Sequence, residues 1–443
     1  MRFDRRVVAM AAILACLLAG WQFGAGSFVR AETKPDAPAN SENAKSKRPG
    51  RVFGIKPGAD VQEVAQTALI KAKPGDTIEF TEGKFDFTKS LSLTVEGVTI
   101  RGKGMDKTIL SFKNQDEGKE GLHVNRGHFV IADLTMQDTK GDAIKVEGGE
   151  NVTFRNVKAE WTGGAKATNG AYGVYPVQCK NVLVEGCVVI GASDAGVYVG
   201  QSTNVIIRKC RAEQNVAGIE IENCVNAEAY DNVATNNAGG LLVFDLPGLQ
   251  LKNGHSVKVH NNNVYGNNHV NFAPEGNIVA SVAPGTGMMV MATDHVELLD
   301  NTVKDNKTYG LIVVSFLITG RPIEDKEYDP YPEAVYIHNN TFEKNGKDPT
   351  GPRAKALAEL LGTPMPEIIY DGIRNPKKMV NGKIPDDQRV VFKDNGPVAT
   401  VNLHWDQLDT KNLLASKSKV ERNPKNLVGE LPPVPSVKLP EVR

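Results

Sequence analysis

The sequence predicts an all-β protein whose strands wind into a right-handed, single-stranded parallel β-helix. Two strand motifs repeat through the middle of the chain at the same interval of about 22 residues, which is the length of one coil in such folds. The composition provides a third observation, because the chain contains 43 glycines and its asparagines cluster in the middle. These residues suit short strands that are joined by tight turns.

The first motif is a glycine followed by alternating apolar residues. It reads GVYPV, GVYVG, GIEIE, GLLVF, GMMVM and GLIVV, beginning at Gly173, Gly196, Gly218, Gly240, Gly287 and Gly310. Side chains of a strand alternate between its two faces, so one set should point into the core and the other outward. The longer interval between Gly240 and Gly287 corresponds either to two coils with an insertion or to one enlarged coil.

The second motif keeps step with the first. It reads NVTFRNV, NVLVEGC, NVIIRKC, NAEAYDN, SVKVHNNN, HVELLDN and AVYIHNN, beginning at Asn151, Asn181, Asn204, Asn226, Ser256, His295 and Ala334. Two motifs per interval indicate one coil per repeat. A lone coil cannot offset the entropy of ordering its backbone, so many coils must stack together.

These segments resemble those of bacterial right-handed parallel β-helix proteins of the pectin-lyase-like superfamily. Within it, the chain is similar to exported tandem β-helix repeat proteins of unassigned function. The resemblance covers roughly residues 51–350 and rests on the NVxV, AGIxIxxC and VxxHNN segments. It implies a polysaccharide as the ligand, because the superfamily mostly contains polysaccharide lyases, hydrolases, epimerases and glycan-binding proteins. It also implies a second exported protein as a possible partner.

The N-terminal sequence predicts export. A basic start, an apolar stretch over residues 7–20 and a small-residue cleavage site predict a signal peptide at 1–31. A flexible, polar leader should follow at 32–50. We therefore expect a periplasmic or extracellular mature chain without a membrane segment. An uncleaved anchor and lipidation at Cys16 are the alternatives.

Two further segments complete the predicted organisation. Residues 51–351 should form the β-helix, and a capping box at Asp60 should begin a helix that runs to about Ala72 and covers the first coil. Its apolar face is formed by Val61, Val64, Ala65, Ala68 and Leu69. Residues 352–443 break the period and should pack on the β-helix as an appendage.

The balance and distribution of charge argue against nucleic-acid binding and membrane binding. The chain carries 52 basic and 52 acidic side chains, and neither sign forms a long run. The sequence therefore predicts no nucleic-acid partner and no membrane-binding patch.

The outward positions of the first motif change character along the chain. Two columns run through Lys145, Tyr175, Tyr198, Glu220, Leu242, Met289 and Ile312, and through Glu147, Val177, Gly200, Glu222, Phe244, Met291 and Val314. Early coils thus carry charge and tyrosine, and late coils carry an apolar ladder too large to leave in water. We expect a segment of the same chain to cover it, either residues 320–333 or the C-terminal part. Another protein is the alternative.

The early coils supply the candidate binding residues. Those proposed to contact substrate are Lys145, Glu147, Tyr175, Tyr198, Glu220 and Glu222. Glu220 and Glu222 together with Asp194 have the oxygen ligands that calcium prefers, although no cofactor is required by the pattern. Solvated carboxylates beside Arg208 and Arg211 are the alternative interpretation.

Catalytic residues cannot be assigned from known patterns. The sequence lacks the paired aspartates and His-Gly element of polygalacturonases and the DPHD element of mannuronan epimerases. Three functions remain open at this point: a β-helix that contacts or modifies a polysaccharide, a non-catalytic scaffold that binds a second exported protein, and a lyase or epimerase with an atypical site.

Two turn registers carry structural predictions. Asn232, Asn262, Asn301 and Asn340 should stack along the helix axis and stabilise a left-handed bend. Cys187 and Cys210 occupy the same register in earlier coils. We expect them to be stacked free thiols, because parallel neighbours fit disulfide geometry poorly.

Overall fold

Parallel strands stack coil upon coil in the computed structural model, which describes residues 49–407 and 420–440. The predicted signal peptide, Cys16 and nearly all of the leader lie outside the described residues. The strands form two long sheets, as a parallel β-helix requires. The predicted fold class is confirmed.

Sheet 1 contains twenty strands within the described residues and is bent, so that most coils contribute a long and a short strand to it. Its strands are Val52–Ile55, Thr77–Phe80, Gly83–Asp86, Thr99–Arg101, Thr108–Ser111, Phe129–Gln137, Glu150–Glu160, Lys180–Glu185, Val188–Ile190, Thr203–Arg208, Arg211–Glu213, Val225–Tyr230, Val233–Thr235, His255–His260, Asn263–Tyr265, Asp294–Leu299, Thr302–Lys304, Val335–His338, Thr341–Glu343 and Val390–Lys393.

Sheet 2 contains twelve strands in the same part of the chain and carries the first motif. Its strands are Lys89–Leu93, Glu117–Val124, Ile144–Glu147, Tyr172–Val177, Ala195–Gly200, Ala217–Glu222, Gly239–Phe244, Thr286–Met291, Tyr309–Val314, Ile368–Tyr370, Thr400–Asn402 and Glu421–Arg422. The last of these pairs antiparallel with Thr400–Asn402.

The coil register follows the repeat. Leu241 pairs directly with Met288, so the long interval after Gly240 is one enlarged coil. The inward residues of the first motif are buried in one continuous core, as the alternation predicted; they are Val197, Ile219, Leu241, Met288, Leu311, Val199, Ile221, Val243, Val290 and Val313.

The helix α1 (Val61–Lys71) covers the first coil, but two details of its prediction are wrong. Asp60 is the N-cap residue, yet its side chain makes no capping hydrogen bond. Val64 is exposed and only the other four predicted positions are buried, because a helix lying on one coil end can bury only a narrow stripe. Among the described residues, no helix is long and apolar enough to cross a membrane.

The predicted asparagine stack is present. Asn232 Nδ2 donates to Asn262 Oδ1 at 2.9 Å, and the same bond recurs through Asn301 and Asn340 to Asn395. The left-handed residue, however, is the one before each asparagine, for example Asp231 at a φ of 55°. The asparagine side chain therefore stabilises the bend from the position after it.

The cysteine prediction is confirmed. Cys187 and Cys210 are buried free thiols, as are Cys179 and Cys224. The backbone N–H of Cys210 donates to Asn232 Oδ1, so the thiols occupy the early end of the asparagine register.

The β-helix extends beyond the predicted boundary at residue 351. Ile368–Tyr370 pairs in parallel with Tyr309–Val314, and Val390–Lys393 pairs in parallel with Val335–His338. The strands VVF and TVN of the predicted appendage therefore belong to the last coils. The period was hidden because the helix α2 (Pro352–Leu361) and a loop are inserted between these strands.

Candidate functional site

Two neighbouring strands of sheet 2, Ala195–Gly200 and Ala217–Glu222, bring the early polar residues together. Tyr198 pairs with Glu220, and Gly200 pairs with Glu222. The outward columns are those predicted from alternation. Because strands of adjacent coils lie about 4.8 Å apart, side chains of these columns are in contact range.

Three tyrosine rings pack against one another at this position. The ring centroids of Tyr172 and Tyr175 are 4.4 Å apart, those of Tyr172 and Tyr198 are 4.5 Å apart, and those of Tyr175 and Tyr198 are 5.1 Å apart. Tyr198 is buried, whereas Tyr172 and Tyr175 are partly exposed. The rings form a wall between solvent and the carboxyl groups behind it.

Asp194, Glu220 and Glu222 lie behind that wall and are nearly inaccessible, with exposed fractions of 6%, 2% and 9%. This differs from the solvated carboxylates expected as an alternative. Neither arginine named for them contacts them: Arg208 pairs with Glu185 at 2.6 Å, and Arg211 pairs with Glu213 at 2.7 Å. No basic side chain among the described residues forms an ion pair with the three carboxyls.

Burial without a counter-ion changes the protonation of this cluster. Burial raises the pKa of Asp194 to about 7, and the charge of Glu222 adds to the effect. Burial raises the pKa of Glu222 to about 7 as well, and that of Glu220 well above its ordinary range. The interaction between the two carboxyls further raises the pKa of Glu220 and lowers that of Glu222. The cluster thus contains neutral and ionised carboxyls near neutral pH.

Uncharged side chains donate hydrogen bonds to the carboxyl oxygens of Asp194 and Glu222. The Tyr198 hydroxyl donates to Glu222 Oε1 at 2.7 Å, and Asn277 Nδ2 donates to Asp194 Oδ2 at 3.0 Å. The Tyr172 hydroxyl also donates to Asp194 and lowers its pKa. Glu220 Oε2 is buried and accepts no hydrogen bond. Such an oxygen favours the protonated state of Glu220.

The remaining predicted residues lie at the accessible edge of the tyrosine wall. Lys145 Nζ lies 5.5 Å from the centroid of the Tyr175 ring and 3.2 Å from a carboxylate oxygen of Glu147. All three side chains are partly exposed. The six candidate residues therefore divide into an accessible group, Lys145, Glu147 and Tyr175, and a buried group, Tyr198, Glu220 and Glu222.

Sequence reasoning missed two residues of the site. Tyr172 precedes the first motif at a position where the paired residue of the next coil is Ala195, so a large side chain among small ones was an available signal. Asn277 lies in the enlarged coil, 83 residues from its partner Asp194. No sequence pattern indicated that contact.

A second group of acidic side chains converges elsewhere. Among the described residues, the acidic oxygens that lie within 4.8 Å of one another belong to Asp294, Asp329 and Glu333, and not to Asp194, Glu220 and Glu222. Lys378 Nζ already lies among them, 3.1 Å from Asp329 and in contact with Glu333. Calcium binding by Asp194, Glu220 and Glu222 stays a prediction.

The apolar ladder of the late coils is covered by the same chain, as expected. Leu242, Phe244, Ile312 and Val314 are buried, and Met289 is partly buried. The covering residues come from the enlarged coil, the segment after Val314, helix α2 and the last coil; they include Phe272, Ile278, Val282, Phe316, Ile323, Tyr328, Leu357, Leu361, Leu403 and Trp405. The surface on which the scaffold hypothesis depended is thus internal.

Comparisons with known proteins agree with the fold. The family model of right-handed β-helix regions matches residues 90–246. No curated protein matches the chain. Among solved structures, the chain is similar to the A-module of the Azotobacter vinelandii mannuronan C-5 epimerase AlgE4, with 16% identity and a TM-score of 0.47 over 77% of this chain and 92% of that one.

Two further structures are similar at the same level. An alginate lyase from Paenibacillus sp. is 16% identical with a TM-score of 0.43, over 67% of this chain and 98% of that one. The pectate lyase Pel9A is 14% identical with a TM-score of 0.40, over 74% and 76%. The two parallel sheets and the match of the right-handed β-helix model to residues 90–246 agree that the chain folds as a right-handed parallel β-helix.

Proposed function

We propose that the chain binds a polysaccharide along the early coils of sheet 2 and modifies it by acid–base chemistry. One observation carries the proposal: Asp194, Glu220 and Glu222 are buried together with no basic side chain among the described residues paired to them, and this burial raises the pKa of all three, most strongly that of Glu220. Pairs of carboxyls with separated protonation states are the usual devices for cleaving or rearranging glycosidic polymers.

The surroundings of each carboxyl indicate its role in the proposed reaction. Glu220 is the most strongly protonated group and would donate a proton to a leaving oxygen. Glu222 or Asp194 would accept a proton from the sugar or from a water molecule. Lysis, epimerisation and hydrolysis all use such a pair, and the reaction class within this group is an outcome of the experiment.

The choice of polysaccharide rests on the superfamily resemblance and on the accessible edge. Tyr172 and Tyr175 offer partly exposed rings to a sugar, and Lys145 offers a cation to an acidic one. Lys145 is three coils from Glu220, which corresponds to about 14 Å, so it would contact a different sugar unit from the reacting one. An anionic polysaccharide fits this arrangement best.

Access to the cluster requires movement of the enlarged coil. Asn277 of that coil is bonded to Asp194, and Arg321 Nη2 donates to the carbonyl oxygen of Gly276 at 2.9 Å. The segment around Asn277 therefore contacts the carboxyl cluster, and the proposal requires that it moves when substrate binds. Substrate must replace the Asn277 amide to reach Asp194.

The test compares the wild-type chain with Glu222→Gln and with the matched control Glu213→Gln, which lies on sheet 1. Each is incubated with a panel of anionic and neutral polysaccharides, and new reducing ends, unsaturated-uronate absorbance and inversion at C5 are measured. We expect product from the wild type and the control, and a loss of about a hundredfold or more in Glu222→Gln. Equal rates in all three proteins, or no binding of any polysaccharide, would contradict the proposal.

A further inference from the structure

The last described residues lie along the outer face of sheet 1. Residues 431–440, with the sequence LPPVPSVKLP, form neither helix nor strand. They follow one outward column of sheet 1 whose members pair in register from coil to coil, namely Glu297, Lys258, Glu228, Ile206, Leu183 and Thr153. The segment runs from the later coils toward the earlier ones.

Two carboxylates of the column hold the backbone of this segment. The N–H of Val434 donates to Glu297 Oε2 at 3.0 Å, and the N–H of Val437 donates to Glu228 Oε2 at 2.9 Å. Lys258, which lies between the two carboxylates, donates from Nζ to the carbonyl oxygen of Val434 at 3.3 Å. Charged groups thus satisfy donors and an acceptor of a segment that has no strand partner.

Each carboxylate is held by a histidine from a neighbouring strand. His260 Nε2 lies 3.0 Å from Glu228 Oε1, and His338 Nε2 lies 3.1 Å from Glu297 Oε1. In both cases one oxygen contacts the histidine and the other accepts the tail N–H. The same arrangement therefore occurs twice, and Glu228 and Glu297 are both buried beneath the segment.

Two side chains that lie three positions apart in the segment are buried in the groove. Val434 and Val437 are buried, and Val437 packs on Leu183 and Ile206. Pro433 and Ser436, one position earlier in each case, are exposed. The groove therefore buries positions 434 and 437, and Leu439 packs partly against the same apolar residues.

The spacing of the two carboxylates matches that repeat. Glu297 and Glu228 are two coils apart, which corresponds to about 9.6 Å. Three residues of polyproline II advance about 9.3 Å and return the side chain to the same side. A β-strand would place positions three apart on opposite faces. Of these two extended conformations, only polyproline II brings both valines and both amides to the groove.

We infer that this groove is a binding site for extended proline-rich segments with an aliphatic residue at every third position, and that the chain's own C-terminal segment occupies it. The site lies on sheet 1 and is independent of the polysaccharide proposal for sheet 2. Recognition combines two backbone amides, one carbonyl oxygen and two buried side chains, which is how polyproline grooves select their ligands.

Binding in trans tests the inference in full-length chains. Val434→Asp/Val437→Asp should release the segment, and Pro433→Asp/Ser436→Asp is the matched control because those side chains are exposed. The probe is a fluorescein-labelled LPPVPSVKLP peptide, followed by fluorescence anisotropy. We expect the released variant to bind it about tenfold or more tightly than either the wild type or the control, whose grooves are occupied.

Peptide specificity provides the second comparison. An LPPDPSDKLP peptide should bind the released variant about tenfold or more weakly than LPPVPSVKLP. Adding Glu228→Ala and Glu297→Ala to the released variant should remove binding of LPPVPSVKLP. Equal affinity for the two peptides, or equal binding by the released variant and the wild type, would overturn the inference.

Hydrogen exchange on the wild-type chain keeps the inference testable if the released variant does not fold. The amides of Val434 and Val437 should exchange slowly, and the amide of Ser436, which has no groove partner among the described residues, should exchange rapidly. Equal exchange of the three amides would overturn the inference.

Discussion

The hydroxyl group of Tyr198 donates a hydrogen bond of 2.7 Å to Glu222, which lies in the next coil. The bond runs diagonally, because the residue directly paired with Tyr198 is Glu220. It lowers the pKa of Glu222 against the larger opposing effect of burial. Tyr198 thereby tunes the carboxyl that the proposed reaction requires in its ionised form.

Removing this donor should raise the pKa of Glu222. In Tyr198→Phe the charged form loses its hydrogen bond, so we expect the pKa to move upward from about 7. Carboxyl carbon chemical shifts followed by NMR across a pH titration provide the measurement. Tyr309→Phe is the control, because Tyr309 belongs to sheet 2 but lies several coils away. An unchanged or lower Glu222 pKa in Tyr198→Phe would contradict the assigned role.

Stability should fall as the pH rises from about 4 to 7. The folded chain holds protons on Asp194 and Glu222 up to pH values near 7, whereas an unfolded carboxyl loses its proton near pH 4. The unfolded state therefore binds fewer protons in this window, and the free energy of unfolding decreases with pH.

Urea unfolding at pH 5 and pH 8 measures this effect. We expect a lower free energy of unfolding at pH 8, and a smaller decrease in Glu222→Gln, which carries no titrating group at that position. A steeper decrease in the variant, or higher stability of the wild type at pH 8, would show that the cluster is not protonated in the folded chain.

The asparagine stack should contribute strongly to stability. Asn262→Ala removes bonds to Asn301 Oδ1 and to the carbonyl oxygen of Ala229, and leaves buried partners unsatisfied. We expect a loss of about 2–4 kcal/mol in the free energy of unfolding. Asn263→Ala is the control, because Asn263 Oδ1 has no hydrogen-bond partner. Similar losses in both variants would exclude a specific role for the stack.

The cover of the apolar ladder should depend on helix α2. Leu357 is buried against the ladder, so Leu357→Ala should cost about 2–4 kcal/mol and increase binding of a hydrophobic dye. Glu359→Ala on the exposed side of the same helix should change neither quantity. Unchanged stability and dye binding in Leu357→Ala would show that the helix does not cover the ladder.

The repeat and the columns could be predicted because the alternation of side chains along a strand depends only on residues that are close in the sequence. Tyr198, Glu220 and Leu242 fall in one column whatever the remainder of the chain does, since each follows a motif glycine at the same distance. The stacking of Asn232 on Asn262 follows for the same reason.

The burial of the site could not be predicted, because it depends on segments that return from a distance. Asp194, for example, is buried and accepts a hydrogen bond from Asn277, which lies in the enlarged coil 83 residues away. The contact of Val437 with Glu228 joins residues that are separated by 209 positions. The repeat in the sequence does not predict either contact. At both places, protein atoms replace water around a carboxyl group.

The most direct test is the infrared absorption of protonated carboxyl groups at pH 7 in the wild-type chain and in Glu220→Gln. Other buried acids contribute to the spectrum, so the difference between the two proteins isolates Glu220. The predicted result is a protonated-carboxyl band that is weaker in Glu220→Gln than in the wild type and unchanged in Glu213→Gln. Equal bands in the wild type and in Glu220→Gln would show that Glu220 is ionised and would contradict the proposed acid–base chemistry.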